Sequence, residues 1–148
     1  MEVKVERLGK VSFTVQARNH LVLSDQPKVN GGTDMGMTPP ELFLASLGTC
    51  VGYYVAQYFD ARMLKCEGLE IHVQGEILSN PGRIGKVTVQ IRLPVDLKPD
   101  RLEVLLRTVN HCTIHNTLTH PPEIAVENQP AKQAAGAREP VMAAAPQV

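Results

Sequence analysis

TPPELFLASLGTCVGYYVAQYF, residues 38–59, carries the strongest structural signals in the chain. Thr38 stands at an N-cap position, Pro39 follows at the first helical position, and Glu41 comes three residues after the cap. Together they spell a capping box, with a proline whose missing N–H would be unpaired at any helix start. Charge is confined to Glu41 near one end and to Asp60 and Arg62 just past the other. A helix that is apolar on all sides is buried, so this pattern predicts the central helix of the domain. Ala45, Gly48, Gly52 and Ala56 form one helical stripe of small residues. Glycine inside a helix costs about 1 kcal/mol relative to alanine, and two glycines flank Cys50. Their presence predicts close approach of a second helix, or of backbone, beside that cysteine. Cys50 itself reads in two ways: as an ordinary buried cysteine, since free cysteines are often core residues, or as a chemical group.

Composition narrows the function classes. The 148 residues suffice for one domain with a real core. Lys+Arg and Asp+Glu balance at 15 each, leaving no net field to gather nucleic acid or an anionic membrane. Tryptophan is absent and aromatic residues make up 4%, too few for platforms that stack single-stranded bases. The N-terminus, MEVKVERLGK, places charges where a signal peptide needs an apolar run, and no segment is read as spanning a membrane. The expected location is the cytoplasm, where three cysteines imply chemistry or incident rather than a disulfide framework.

Before the central helix the chain alternates as strands do. Residues 2–7 and 11–15 have period two, with Leu8, Gly9 and Lys10 as the turn, and residues 20–23 read as a third strand after a turn at Arg18 and Asn19. Residues 28–37 (KVNGGTDMGM) read as a mobile, glycine-bearing loop over the helix start; no P-loop lysine follows its Gly-Gly. After the helix, residues 69–77 and 86–94 alternate on either side of a turn at 79–85, a second hairpin. Asp100 and Glu103 suggest another capping box, and Leu102, Leu105, Leu106 and Val109 follow at helical spacing. A short helical segment is expected at 113–119 and a last strand at 123–127. The order βββ–α–ββ–α–β predicts an α+β domain over residues 1–127, with two antiparallel sheets around two long helices. Residues 128–148, rich in Ala, Pro and Gln, read as a flexible tail. One chain supplies too few strands to cover so apolar a helix, which points to a homodimer.

Three kinds of chemistry fit the polar residues. The segment HCTIHNTLTH (111–120) could offer His111, Cys112, His115 and His120 to a metal, yet it lacks the CxxC knuckle of a closed zinc site. A Cys–His hydrolase would need a base, an orienter and an oxyanion hole, and no local signature of these is present. The third reading uses two cysteines, Cys50 on the central helix and Cys112 after the second. Helices packed through small residues can bring such a pair within disulfide range. A thiolate would then attack a peroxide, become a sulfenic acid, and condense with the second thiol. Cys66, flanked by charges in MLKCEGL, reads as incidental.

The run G-x-TPPELFLASLGTC (36–50), followed by NHCTIHNTLTHPPEI (110–124), resembles the OsmC/Ohr family of thiol-dependent hydroperoxide reductases. The resemblance covers residues 3–127. It implies an intertwined α+β homodimer, Cys50 as peroxidatic thiol, Cys112 as resolving thiol, organic hydroperoxides as substrates and a dihydrolipoyl or similar dithiol as reductant. No metal or organic cofactor is implied. Well-characterised members carry a glutamate at the place of Pro40, where it holds an arginine over the thiolate; here Glu41 is one residue later, about 100° round the helix. Residues 28–37 hold no arginine, so Arg7 and Arg18 are the positional candidates, and Thr113 replaces the usual proline after the second cysteine. Two function classes follow: a cysteine peroxidase acting on organic hydroperoxides or hydrogen peroxide, or an OsmC-like redox sensor or ligand-binding protein that uses the thiols without turnover.

Overall fold

Alternating residues near the N-terminus form the first sheet of the computed structural model, which describes residues 1–130. Strands β1 (Lys4–Gly9), β2 (Ser12–Ala17) and β3 (His20–Ser24) pair antiparallel in chain order. Lys10 and Arg18, with φ of 45° and 53°, make the two turns. The first turn lies slightly later than its sequence signals suggest, because β1 continues through Gly9 to pair with Ser12. Val5 pairs with Val15 and Val15 with Val22, so one face carries a row of valines. Val5 and Val22 remain exposed in the single chain.

Residues 28–37 are not the mobile loop their composition suggests. A 3-10 turn, Lys28–Asn30, opens the segment, and a buried carboxylate holds the remainder. Asp25 Oδ1 accepts from Ser12 Oγ at 2.8 Å, while Oδ2 accepts from Thr33 Oγ1 at 2.6 Å, Thr33 N at 2.9 Å and Met35 N at 3.2 Å. The Thr33 hydroxyl bond does most to hold this carboxyl well below the usual carboxylate range, against the opposing effect of burial. Gly32 is required by close approach, since a Cβ there would sit 1.8 Å from the Gln26 carbonyl oxygen.

Helix α1 (Pro39–Asp60) starts as its sequence dictates. The Thr38 side chain accepts from Glu41 N, and the Glu41 carboxylate accepts from Thr38 N at 2.7 Å and Thr38 Oγ1 at 2.8 Å. Those bonds hold the Glu41 carboxyl below its ordinary range. With 22 residues and a mean hydropathy of 1.2 over its most apolar window, α1 meets the length and composition of a membrane span, contrary to the expectation that no segment does. Its inner side nonetheless packs as a core helix. Leu47, Val51, Val55, Tyr58 and Phe59 are buried, together with Leu105 and Cys112. The remaining helix surface is less buried than an all-apolar helix predicts, Tyr53 being 57% exposed.

The second sheet is the hairpin of β4 (Glu70–Ser79) and β5 (Gly82–Arg92). Its turn contracts to Asn80 and Pro81, because β5 begins at Gly82 rather than Lys86. A bulge absorbs the difference: Glu76 pairs with Lys86 but Ile77 with Ile84. This sheet, not both, packs on α1. The small-residue stripe meets it: a Cβ on Gly48 would lie 3.0 Å from Val73 Cγ2, and one on Gly52 3.6 Å from Ile71 Cγ1. The close neighbour is therefore a strand rather than a second helix. Since both glycines lie two residues from Cys50, they point about 200° away from it. The stripe lets β4 approach and leaves the cysteine on the opposite side.

That geometry separates two substitutions. Gly52→Ala should raise the melting temperature by a few degrees, because its Cβ meets ordinary contact distance and the helix gains about 0.5–1 kcal/mol in propensity. Gly48→Leu should lower stability by about 1–3 kcal/mol by forcing Val73 away. Thermal melts of the two variants provide the comparison. Equal shifts would show that the stripe does not set the α1–β4 spacing.

Two further expectations change. Helix α2 (Pro99–Val109) is 11 residues, half of α1, so the domain has one long helix rather than two. Its N-cap is Lys98 with no side-chain cap, and Glu103 instead pairs with Arg107 at 2.6 Å. Pro99 at the first helical position moves the start back from Asp100. Of the apolar residues at helical spacing, Leu105 is buried and Val109 half-buried, while Leu102 and Leu106 are exposed. Residues 123–127 form no strand; Ile124 and Val126 are exposed and pair with no sheet edge of this chain. Among the described residues the order is thus βββ–α–ββ–α–α, with α3 (Thr113–Thr119) last. The tail expected at 128–148 lies outside the described residues beyond 130.

Candidate functional site: a two-thiol contact between α1 and α3

Cys50 sits midway along α1, half-buried and packed on the core, on the side away from β4. Cys112 is fully buried and belongs to the core cluster. It is not the end of the second helix, as its place after Val109 suggests, but the N-cap of the third. Its Sγ accepts from His115 N at 3.5 Å, and its carbonyl accepts from Asn116 N at 2.9 Å. Thr113 occupies the first position of α3.

Cys112 is part of the core cluster on which Cys50 packs, and the Cys50 sulfur lies near enough to act on the Cys112 thiol. Burial does most to push the Cys112 thiol up, and the nearby Cys50 sulfur acts in the same direction. The N–H groups of His115 and Ile114 pull in the opposite direction. The arrangement gives the two sulfurs different duties. Cys50 is the more accessible, whereas Cys112 is enclosed and holds its proton more firmly than a free thiol. A pair so placed can pass from one oxidised sulfur to a shared disulfide.

The remaining sequence candidates lie elsewhere. The Glu41 carboxylate is occupied by the Thr38 cap. Arg7 Nε donates to the Lys10 carbonyl at 2.9 Å. Arg18 lines a surface hollow with Glu2, Lys4 and Gln16. Within one chain, neither arginine is brought to Cys50. Among the described residues no three His, Cys, Asp or Glu side chains form a group able to hold a metal ion. Cys66 is a separate thiol, raised by burial and by the nearby carboxylates of Asp60 and Glu67.

A largely apolar cavity of about 490 Å³ opens where these elements meet, lined by Leu47 and Val51 of α1, Val89 of β5, Val109 of α2, and His115 and Leu118 of α3; neither thiol is part of its wall. Sequence reasoning missed it because its walls come from four elements. It also missed Asp25; the SDQP that ends β3 and the Thr33 eight residues later gave the only local sign.

The OsmC-like protein family model matches residues 31–127, from the pinned loop through both thiols to the segment after α3. The chain belongs to the OsmC-like family. No curated protein matches it in sequence. Among solved structures, this OsmC-like chain is similar to a putative osmotic stress induced and detoxification response protein from Psychrobacter arcticus, with a TM-score of 0.72 and 19% identity over 78% of this chain and 85% of that one. It is similar to an OsmC like protein from Mycoplasma pneumoniae, with a TM-score of 0.64 and 20% identity over 81% and 87% of the two chains. It also resembles an organic hydroperoxide resistance protein OsmC from Legionella pneumophila, with a TM-score of 0.57 and 15% identity over 80% and 89%. At these identities the likeness establishes the OsmC-like fold.

Proposed function

We propose that the protein is a thiol-dependent peroxidase that reduces organic hydroperoxides, and hydrogen peroxide as a smaller substrate, through a Cys50 sulfenic acid resolved by Cys112. The observation that carries this reading is that two thiols from distant parts of the sequence meet at one core cluster, one half-buried and one enclosed. The Cys50 thiolate attacks the O–O bond, the alkoxide leaves and takes a proton, and sulfur becomes Cys50–SOH. Cys112 then attacks that sulfur, water leaves, and the Cys50–Cys112 bond forms. An external dithiol, such as a dihydrolipoyl group, returns both thiols. No metal or organic cofactor takes part.

The assay is consumption of an organic hydroperoxide at catalytic rates with a dithiol present. One observation favours the sensor or ligand-binding alternative: within one chain neither Arg7 nor Arg18 accompanies Cys50, and a nearby cation is what usually lowers a thiol pKa. Oxidation that stops after one turnover, with dithiol in excess, would select that alternative. A homodimer could bring Arg7 or Arg18 from a second copy.

The homodimer belongs to the same proposal. Its support is the unburied apolar surface of the single chain: the valine row of β1–β3, Tyr53 of α1, and Leu102 and Leu106 of α2. Two intertwined copies acting in the cytoplasm, each a domain of residues 1–127 with a tail, would cover it. Sedimentation at micromolar concentration should report twice the 16.2 kDa chain mass. A stable monomer would remove the dimer and leave the thiol assay to stand alone.

A further inference from the structure

Cys112 holds two positions at once: it is the neighbour of Cys50 and the N-cap of α3. We infer that the cap is surrendered when the Cys50–Cys112 disulfide forms, so that oxidation loosens α3 and makes the helix a redox-responsive element. The inference rests on the proposed pairing of these two cysteines.

The physical argument starts from the helix. Thr113–Thr119 spans seven residues, too short to persist without a cap and tertiary contacts. Its first N–H groups need an acceptor. Cys112 Sγ takes the N–H of His115, the position a serine or threonine hydroxyl serves in other helices. A disulfide sulfur is bonded on both sides, with a torsion near ±90° about the S–S bond. Bonded to Cys50, the Cys112 sulfur is directed to α1 rather than along the α3 axis, and its lone pairs turn with it. His115 N–H then loses its acceptor. His115 and Leu118 also line the apolar cavity between α1, β5, α2 and α3, so a loosened α3 alters one wall of it. Thr113 already stands at the first helical position, so the cap falls to Cys112.

The test uses diamide, a two-electron thiol oxidant whose N=N bond takes up two electrons and two protons as the dithiol becomes a disulfide. Diamide closes the bond whether or not the protein consumes peroxide. Failure of the peroxidase reading is therefore seen in the hydroperoxide assay, and failure of the switch is seen here. Peptide mapping establishes the Cys50–Cys112 link, and hydrogen–deuterium exchange reads α3. Exchange across Thr113–Thr119 should accelerate roughly fivefold on oxidation, the size expected for loss of one ordinary helix cap. In Cys112→Ser, a hydroxyl keeps the cap and no link to Cys50 can form, so exchange should be slow with and without diamide. In Cys112→Ala, exchange should be fast without oxidant; if that variant fails to fold, the Cys112→Ser comparison still decides. Unchanged or slower α3 exchange in the linked wild type overturns the inference, as does a diamide-treated chain in which the link does not form.

Discussion

Cys50→Ser, treated with a stoichiometric amount of an organic hydroperoxide, should show no change of intact mass and no peroxide consumption. A serine hydroxyl supplies no thiolate at neutral pH, and the enclosed, proton-retaining Cys112 does not substitute for it. Wild type should lose two hydrogens as the Cys50–Cys112 bond closes. Cys112→Ser should gain one oxygen, then more, because its sulfenic acid has no partner and continues up the oxidation ladder. Cys66→Ser should behave as wild type, since burial and the Asp60 and Glu67 carboxylates keep that thiol protonated. Intact mass spectrometry separates all four outcomes. If Cys50→Ser oxidises at the wild-type rate, the order of attack is wrong. If wild type gains oxygen without linking its cysteines, the paired-thiol mechanism is wrong.

Asp25→Asn should lower the melting temperature at neutral pH by roughly 5–10 °C. The carboxylate accepts four hydrogen bonds in a buried site, and an amide would turn N–H groups towards the donors of Ser12 or Thr33. The pH dependence follows from the same bonds. The folded carboxyl lies well below its ordinary range, so on acidification the unfolded chain binds the proton first. The stability that Asp25 supplies is complete above the unfolded value of about 4 and is lost progressively below it. Wild type should therefore lose melting temperature more steeply than Asp25→Asn as pH falls from 5 to 2. Parallel curves in differential scanning fluorimetry would show that the carboxylate charge is not what pins residues 28–37.

The elements with their own local signals were legible in the sequence. Thr38, Pro39 and Glu41 gave the start of α1 to the residue, because an N-cap is satisfied within four positions of chain. Period-two alternation gave the five strands and the two hairpins β1-β2 and β4-β5, since strands joined by a short turn pair with each other; that β3 completes the first sheet beside β2 came from the fold. Cys50 and Cys112 stood out as a pair, and the family resemblance carried by their flanking residues agrees with the match over 31–127.

What the tertiary structure alone decided are the facts that depend on two distant segments. Gly48 and Gly52 announce close approach, but one helix face does not say what approaches; Val73 and Ile71 of β4 do. Asp25 is an ordinary turn residue until Ser12 and Thr33 converge on it. Residues 123–127 alternate as a strand does, yet alternation forms a strand only where packing brings it to a sheet edge, and the segment meets none of the open edges of β1, β3, β4 and β5. Cys112 reads as the end of a helix because Val109 continues the apolar spacing of α2; its service to α3 depends on where His115 N–H points. Local capping and periodicity are written into a few consecutive residues, whereas contacts across the fold are set by how those elements pack.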